Sequence, residues 1–176
     1  ADILALGRAL QQPAPMDVRV NAHKASRDTV LAQLQAEGLA VEATPYSPWG
    51  IRFKAHPAIN RHPLFVDGSL EVQDEGSQLL ALLLGARRGE MVCDFCAGAG
   101  GKTLAIGAMM ASTGRLYAFD VAEKRLANLK PRLARSGLSN VMPQLIASEN
   151  DTRVKRLAGK LDRVLVDAPC SGLGTL

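Results

Sequence analysis

Asp94-Phe95-Cys96-Ala97-Gly98-Ala99-Gly100-Gly101-Lys102-Thr103 is the stretch that decides the fold. An apolar run, Met91-Val92-Cys93, precedes it, and Leu104-Ala105-Ile106 follows. This order predicts a strand, a glycine-rich turn and a helix. Glycines leave no side chain between a ligand and the main chain. The first turn of the helix presents free N–H groups to whatever sits there.

Downstream, the pattern keeps alternating. The expected elements are strand 91–95, helix 102–111, strand 116–120, helix 122–136, strand 142–147, helix 152–158 and strand 163–167. Strands separated by helices imply βαβ units and a parallel sheet covered on both faces, an α/β fold of Rossmann-like type. Pro131 is expected to kink the 122–136 helix or end its first half. Just upstream, Ser77–Leu84 reads as an apolar helix stopped by Gly85.

Residues 17–66 read as a separate small α+β domain. Val18–Asn21 alternates as a strand does. Ser26 is placed to cap a helix from Arg27 to about Glu37, which Gly38 stops. Ala40–Ala43 and Gly50–Lys54 read as two more strands, and His56–Pro63 as loop. Residues 1–16 form an expected helix and a linker ending in Gln11-Gln12-Pro13-Ala14-Pro15. The remainder, 67–176, forms the α/β domain.

With 47% apolar and 22% charged residues, the 176-residue chain has an ordinary globular composition. No apolar run approaches the roughly 18 residues that span a bilayer, and no secretory leader pattern is visible. Three cysteines make an odd count, and two flank the turn. That favours reduced thiols and a cytoplasmic setting over a disulfide framework. The net charge is +4. Residues 1–88 hold nine basic and nine acidic side chains, so the whole excess lies on the half with the glycine turn. Such an excess fits a polyanionic partner, and equally a solvated cationic surface.

Three ligands compete for the turn. A phosphate-binding P-loop needs Gly, four residues, then Gly-Lys-Ser/Thr. Gly101-Lys102-Thr103 supplies the end, but Cys96 stands where the first glycine belongs. A nicotinamide-type Gly-x-Gly-x-x-Gly finds Gly98 and Gly100 but meets Thr103 at its third position. S-adenosylmethionine is the third candidate. Its ribose wants an acid at the end of the second strand. Asp120 ends Leu116-Tyr117-Ala118-Phe119-Asp120, 22 residues after Gly98, near the usual spacing of about 20. Asp120 is also placed to cap the helix that follows.

The fourth strand separates these readings. Asp167-Ala168-Pro169-Cys170-Ser171-Gly172 follows it. Ligands of open α/β sheets bind beyond the carboxyl ends of the strands, so Asp167 and Cys170 should share a crevice with the turn. An acid, a proline turn and a cysteine there suit chemistry on a pyrimidine. The C5 carbon of cytosine is a poor nucleophile until a thiolate adds to C6. A carboxylate on the N3/N4 edge stabilises the adduct, and loss of the C5 proton then expels the thiolate.

Together, Cys96–Thr103 and Asp167–Gly172 resemble the Sun-type (Fmu-like, bacterial rRNA-type) RNA cytosine-5 methyltransferase family. Gln73-Asp74-Glu75-Gly76-Ser77 resembles the segment before its methyltransferase fold. Arg19-Val20-Asn21 with Lys24-Ala25-Ser26 resembles the opening of its small RNA-binding domain. The likeness runs over roughly 17–176. The chain departs from the family near Gly98 and Ala99, where alanine and proline are common.

The resemblance implies that Cys96, Ala97, Gly98, Ala99, Gly100, Gly101 and Lys102 bind S-adenosylmethionine, that Asp120 takes its ribose, and that Glu149 lies near adenine. Asp167 is implied to sit between cofactor and target cytosine, completing a catalytic set with Lys102 and Cys170. In Sun-type enzymes the cysteine matching Cys170 assists release of the methylated RNA, and the nucleophile is a Thr-Cys on the next strand. The chain stops at Leu176, so it is expected to be a fragment lacking that nucleophile and the last strands. The implied partner is RNA, ribosomal or transfer, with a monomeric protein and no membrane or metal. A P-loop nucleotidase and a non-catalytic RNA-binding module are the rival readings.

Cys93-Asp94-Phe95-Cys96 has zinc-site spacing, but no second pair exists and the histidines lie in another segment. Lys124, Arg125, Lys130, Arg132 and Arg135 fall on one expected helix, read mainly as solvated surface. Trp49 and Phe53 are read as core of the small domain rather than as base-stacking platforms.

Overall fold

A computed structural model describes residues 2–11 and 14–168. Two four-stranded sheets stand one after the other, and their contrast follows from their connections. The first is antiparallel, with one hairpin and two helix-containing connections between strands that are not neighbours; in the second, helical crossovers join parallel strands.

The first unit contains β1 (Met16–Val20), α2 (Arg27–Ala36), β2 (Val41–Ala43), β3 (Gly50–Phe53), α3 (Pro63–Val66) and β4 (Leu70–Val72), after an N-terminal α1 (Asp2–Leu10). Its strand order is β2-β3-β1-β4. Val18, Val20, Leu34, Ile51, Phe53 and Leu70 form its core. Ser26 caps α2 by accepting the Thr29 N–H, the cap expected from its position. Within the expected loop 56–63, a 3-10 turn spans Ile59–Arg61, and α3 then starts at Pro63 with His62 as cap. Phe53 lies in the core as expected, whereas Trp49 is half-buried beside His23 and Lys24.

β4 corrects the expected boundary at residue 66, because Val18, Arg19 and Val20 pair with Val72, Glu71 and Leu70. Glu71 is buried, and its carboxylate meets Arg132 at 2.8 Å and Arg135 at 2.6 Å. A lone acid in a three-residue strand reads as loop. The guanidiniums that let it be buried lie some sixty residues downstream.

The second unit runs α4 (Glu75–Leu84), β5 (Met91–Asp94), α5 (Gly101–Met109), β6 (Arg115–Asp120), α6 (Glu123–Ser136), β7 (Val141–Leu145), α7 (Thr152–Lys155) and β8 (Arg163–Leu165). The parallel order is β7-β6-β5-β8, the Rossmann-like arrangement. Val92, Leu104, Ile106, Met110, Leu116 and Leu129 fill one face. Cys93, Phe119 and Ile146 fill the other. α4 ends on left-handed Gly85 and α6 on left-handed Gly137. Pro131 does not end α6. Leu126 and Leu129 bury one side of that helix, and Arg132 and Arg135 anchor its second half to Glu71. This packing outweighs the hydrogen bond that proline forfeits. α7 stops at Lys155, three residues short of the expected end.

The units are joined by polar contacts, buried at Asn21 and exposed at Lys24. Asn21 Nδ2 donates to the carbonyls of Gly68 and Ser136. Lys24 Nζ donates to the carbonyls of Asp67 and Arg135. The Arg135 guanidinium also lies 4.2 Å over the Phe65 ring.

Candidate active site

The glycine turn is held from three sides. Ala97 N–H donates to Phe119 O, and Phe95 N–H to Leu165 O, both at 2.9 Å. Arg132 Nη1 donates to Ala99 O at 2.7 Å. Gly98 and Gly100 have φ of +56° and +84°, a region that costs other residues roughly 1–2 kcal/mol. A Cβ at Gly100 would also lie 2.1 Å from Leu129 Cδ1, whereas one at Gly98 would meet nothing within 4 Å. Gly100 is therefore glycine for packing, and Gly98 leaves open space over bare backbone.

Asp120 is buried directly behind the turn. One carboxylate oxygen accepts the Gly98 N–H at 2.8 Å, and the other accepts the Ala122 N–H at 2.8 Å. It thus supports the turn and the start of α6 together. Each oxygen retains a lone pair.

Cys96, Ala97, Gly98, Ala99, Gly101, Lys102 and Asp167 all line one cleft of about 660 Å³. Gly100 and Asp120 stand behind it. Lys102 Nζ meets Asp167 Oδ2 at 2.7 Å and Ser77 Oγ at 3.4 Å. Thr103 is fully buried and donates to Asp94 Oδ2 at 2.6 Å. In a P-loop the lysine reaches for phosphates and the Ser/Thr hydroxyl holds Mg²⁺. Here both side chains are already engaged with carboxylates.

Asp94 is buried, and its Oδ1 has no hydrogen-bond partner among the described residues. Burial pushes its carboxyl up to about 6, and the charge of Asp167 adds to the effect. The Thr103 bond, Lys102 and the nearby backbone N–H of Cys96 act in the opposite direction. Burial also pushes the Cys93 thiol up to about 12. The Cys96 thiol is raised too, first by burial and then by Asp120, Asp94 and Asp167. Neither thiol is prepared as a nucleophile. Cys93 faces the core and Cys96 the cleft. Among the described residues, no group of His, Cys, Asp and Glu is arranged to hold a metal ion.

Glu149 is exposed, and its carboxylate accepts from Asn150 Nδ2. A second cavity of about 730 Å³, at the ends of β6 and β7, is lined by Val121, Ile146 and Asp151, not Glu149. Asp151 accepts the N–H groups of Ala147 and Arg153, which hold its carboxyl below the usual range. Asp120 is bonded to Gly98, which lines the first cleft, and is followed by Val121, which lines the second cavity. Cys170 lies outside the described residues. Gln73, Arg125 and Arg132 also line the first cleft. The amphipathic pattern of α6 marks its basic face as solvent-facing and gives no sign that these arginines turn inward. Among the described residues, no helix is long and apolar enough to cross a membrane.

Residues 81–176 match the family model for the RsmB/F 16S rRNA methyltransferase, and residues 2–60 match a ferredoxin-like domain of RsmF/B-like methyltransferases. The ribosomal RNA small subunit methyltransferase B of Pseudomonas syringae pv. tomato is 35% identical over 92% of this chain. The chain spans 36% of that relative's length. A methyltransferase homologue from Pyrococcus horikoshii superposes with a TM-score of 0.85 at 32% identity, covering 96% of this chain and 54% of that one. NSun6 from Pyrococcus horikoshii, solved with SFG, shares the fold with a TM-score of 0.86 at 19% identity, covering 98% and 67%.

Proposed function

The chain belongs to the RsmB/F family of 16S rRNA methyltransferases, whose methyl donor is S-adenosylmethionine, and from that premise we propose that the protein methylates C5 of a cytidine in RNA, with ribosomal RNA preferred over transfer RNA. The observation that carries this reading is the 2.7 Å contact of Lys102 with Asp167. It joins the turn after β5 to the end of β8, so both open into one cleft.

The residues suit the donor. Bare backbone at Gly98 and the free N–H groups starting α5 accept its methionine end. Asp120 retains lone pairs for ribose hydroxyls, and Val121 and Ile146 offer an apolar seat for adenine. Asp151, rather than Glu149, is the acid on that side. When bound, the donor supplies an electrophilic methyl group. Asp167, aimed by Lys102, accepts from the N4 edge of a cytosine brought out of its stack. Arg125 and Arg132 give the cleft mouth a charge that suits the RNA backbone. With Cys93 and Cys96 both protonated, attack on C6 falls to a thiolate outside the described residues. Cys170 keeps the release role the resemblance gives it.

Calorimetry with S-adenosylmethionine tests the cofactor half. Asp120→Ala should bind at least about tenfold more weakly, the loss of a charge-assisted hydrogen bond. Equal affinity in both proteins removes the ribose assignment. Stabilisation by Mg·ATP and none by S-adenosylmethionine would instead favour a P-loop nucleotidase. Formation of 5-methylcytidine by the full-length protein separates the enzyme from a non-catalytic RNA-binding module.

A further inference from the structure

Gln73 follows β4, on the first unit, yet reaches the cleft of the second. It is only 8% exposed. Its Oε1 accepts from Arg19 Nε at 2.7 Å. Arg19 is itself 2% exposed and can only donate. The pair therefore fixes which way the Gln73 amide faces: oxygen toward Arg19, nitrogen toward the cleft. That nitrogen lies 3.4 Å from the point where a Cβ on Gly101 would be. Among the described residues it has no hydrogen-bond acceptor.

The cleft is polarised around this point. At the Gly101 end stand the Gln73 amide nitrogen, Arg132 Nη2 at 3.8 Å from the same point, and the amino end of the nine-residue helix α5. All are donors or positive. Asp94 also lines the cleft, with one oxygen bonded to Thr103 on the first turn of α5. An α-amino acid carries a carboxylate that matches this group of donors. We infer that Gln73 is a cofactor-binding residue whose side-chain amide, oriented by Arg19, donates to the carboxylate of the donor's methionine part. The first unit thereby completes the cofactor site of the second. This deepens the methyl-donor reading and rests on it.

Gln73→Glu is the informative variant. A glutamate still accepts from Arg19, so the buried pair survives, but an oxygen replaces the donor facing the ligand. The chain and this variant are titrated with S-adenosylhomocysteine and with 5′-methylthioadenosine, which lacks the amino-acid part. The variant should lose tenfold or more affinity for the first, as expected for a hydrogen bond to a charged group. Its affinity for the second should be unchanged. Gln73→Met, which removes the donor without adding charge, should show the same selectivity with a smaller loss. Equal losses for both ligands, or none, with an unchanged melting temperature, overturn the role of Gln73 alone. So does weakened binding of a short RNA with unchanged S-adenosylhomocysteine affinity, which would give the amide to a phosphate. Failure of the parent chain to bind either nucleoside overturns the methyl-donor reading itself.

Discussion

The two sheets treat buried charge differently. In the antiparallel unit each buried acid is matched. Asp17 holds Arg52 through two bonds of 2.7 and 2.8 Å, and Glu71 holds Arg132 and Arg135; the second unit matches Glu75 and Asp120 with backbone N–H groups. In the parallel unit, Asp94 is buried with one oxygen unpaired, beside a turn whose glycines leave bare backbone. A matched buried charge rigidifies its surroundings, whereas an unmatched buried charge is a cost of the kind that collects at functional sites. The first unit is thus a scaffold, and the second holds the cleft. The contacts of Glu71 and Gln73 let the scaffold act on the cleft.

Breaking the matched side should have the largest effect. Glu71→Ala leaves two arginines packed inside the interface without their anion, and removing one partner of such a cluster costs about 3–5 kcal/mol. Chemical denaturation should show that loss. Retention of full stability would mean that water replaces the carboxylate and that the interface is looser than described.

The unmatched side should respond in the opposite direction. The Asp94 carboxyl is raised from 3.8 to about 6 in the folded protein. The folded state therefore binds the proton more tightly than the unfolded chain does. Stability from this group is highest below about pH 4, falls between 4 and 6, and stays low above. Asp94→Asn removes that dependence. Its melting temperature should match the parent's near pH 4 and exceed it at pH 8, by up to about 3 kcal/mol of stability. A variant less stable than the parent at pH 8 would show that the carboxylate is matched after all.

A smaller contrast separates the two glycines of the turn. Gly100→Ala combines the left-handed φ with a clash against Leu129 and should cost about 2–3 kcal/mol. Gly98→Ala carries only the backbone strain and should cost about 1 kcal/mol. It should weaken cofactor binding more than it weakens the fold. Equal melting temperatures for the two variants would remove the distinction between packing and access.

Much of this was legible in the sequence for identifiable reasons. The parallel unit announces itself because Gly85 stops α4, the glycines at 98, 100 and 101 mark the turn into α5, and the apolar runs have the right lengths. The position of Asp120 at the end of β6, beside the glycine turn, was legible from its spacing to Gly98. β4 was hidden because Glu71 becomes strand-compatible only when α6 delivers Arg132 and Arg135. α6 was expected to bend or break at Pro131, since the same arginines and Leu129, which hold it, are tertiary partners. Glu149 and Asp151 stand two residues apart in a loop, and only the hydrogen bonds of Asp151 decide which one faces the cavity. Gln73 was visible as part of a resembling segment, but its direction depends on Arg19, 54 residues earlier.

The convergence of the turn after β5 with the end of β8 is tested most directly by amide hydrogen exchange with and without saturating S-adenosylhomocysteine. Slowed exchange is expected in peptides covering residues 96–103 and, in the same experiment, in those covering 163–168. Protection confined to one of the two, or absent from both while the ligand is bound, would contradict a shared cleft.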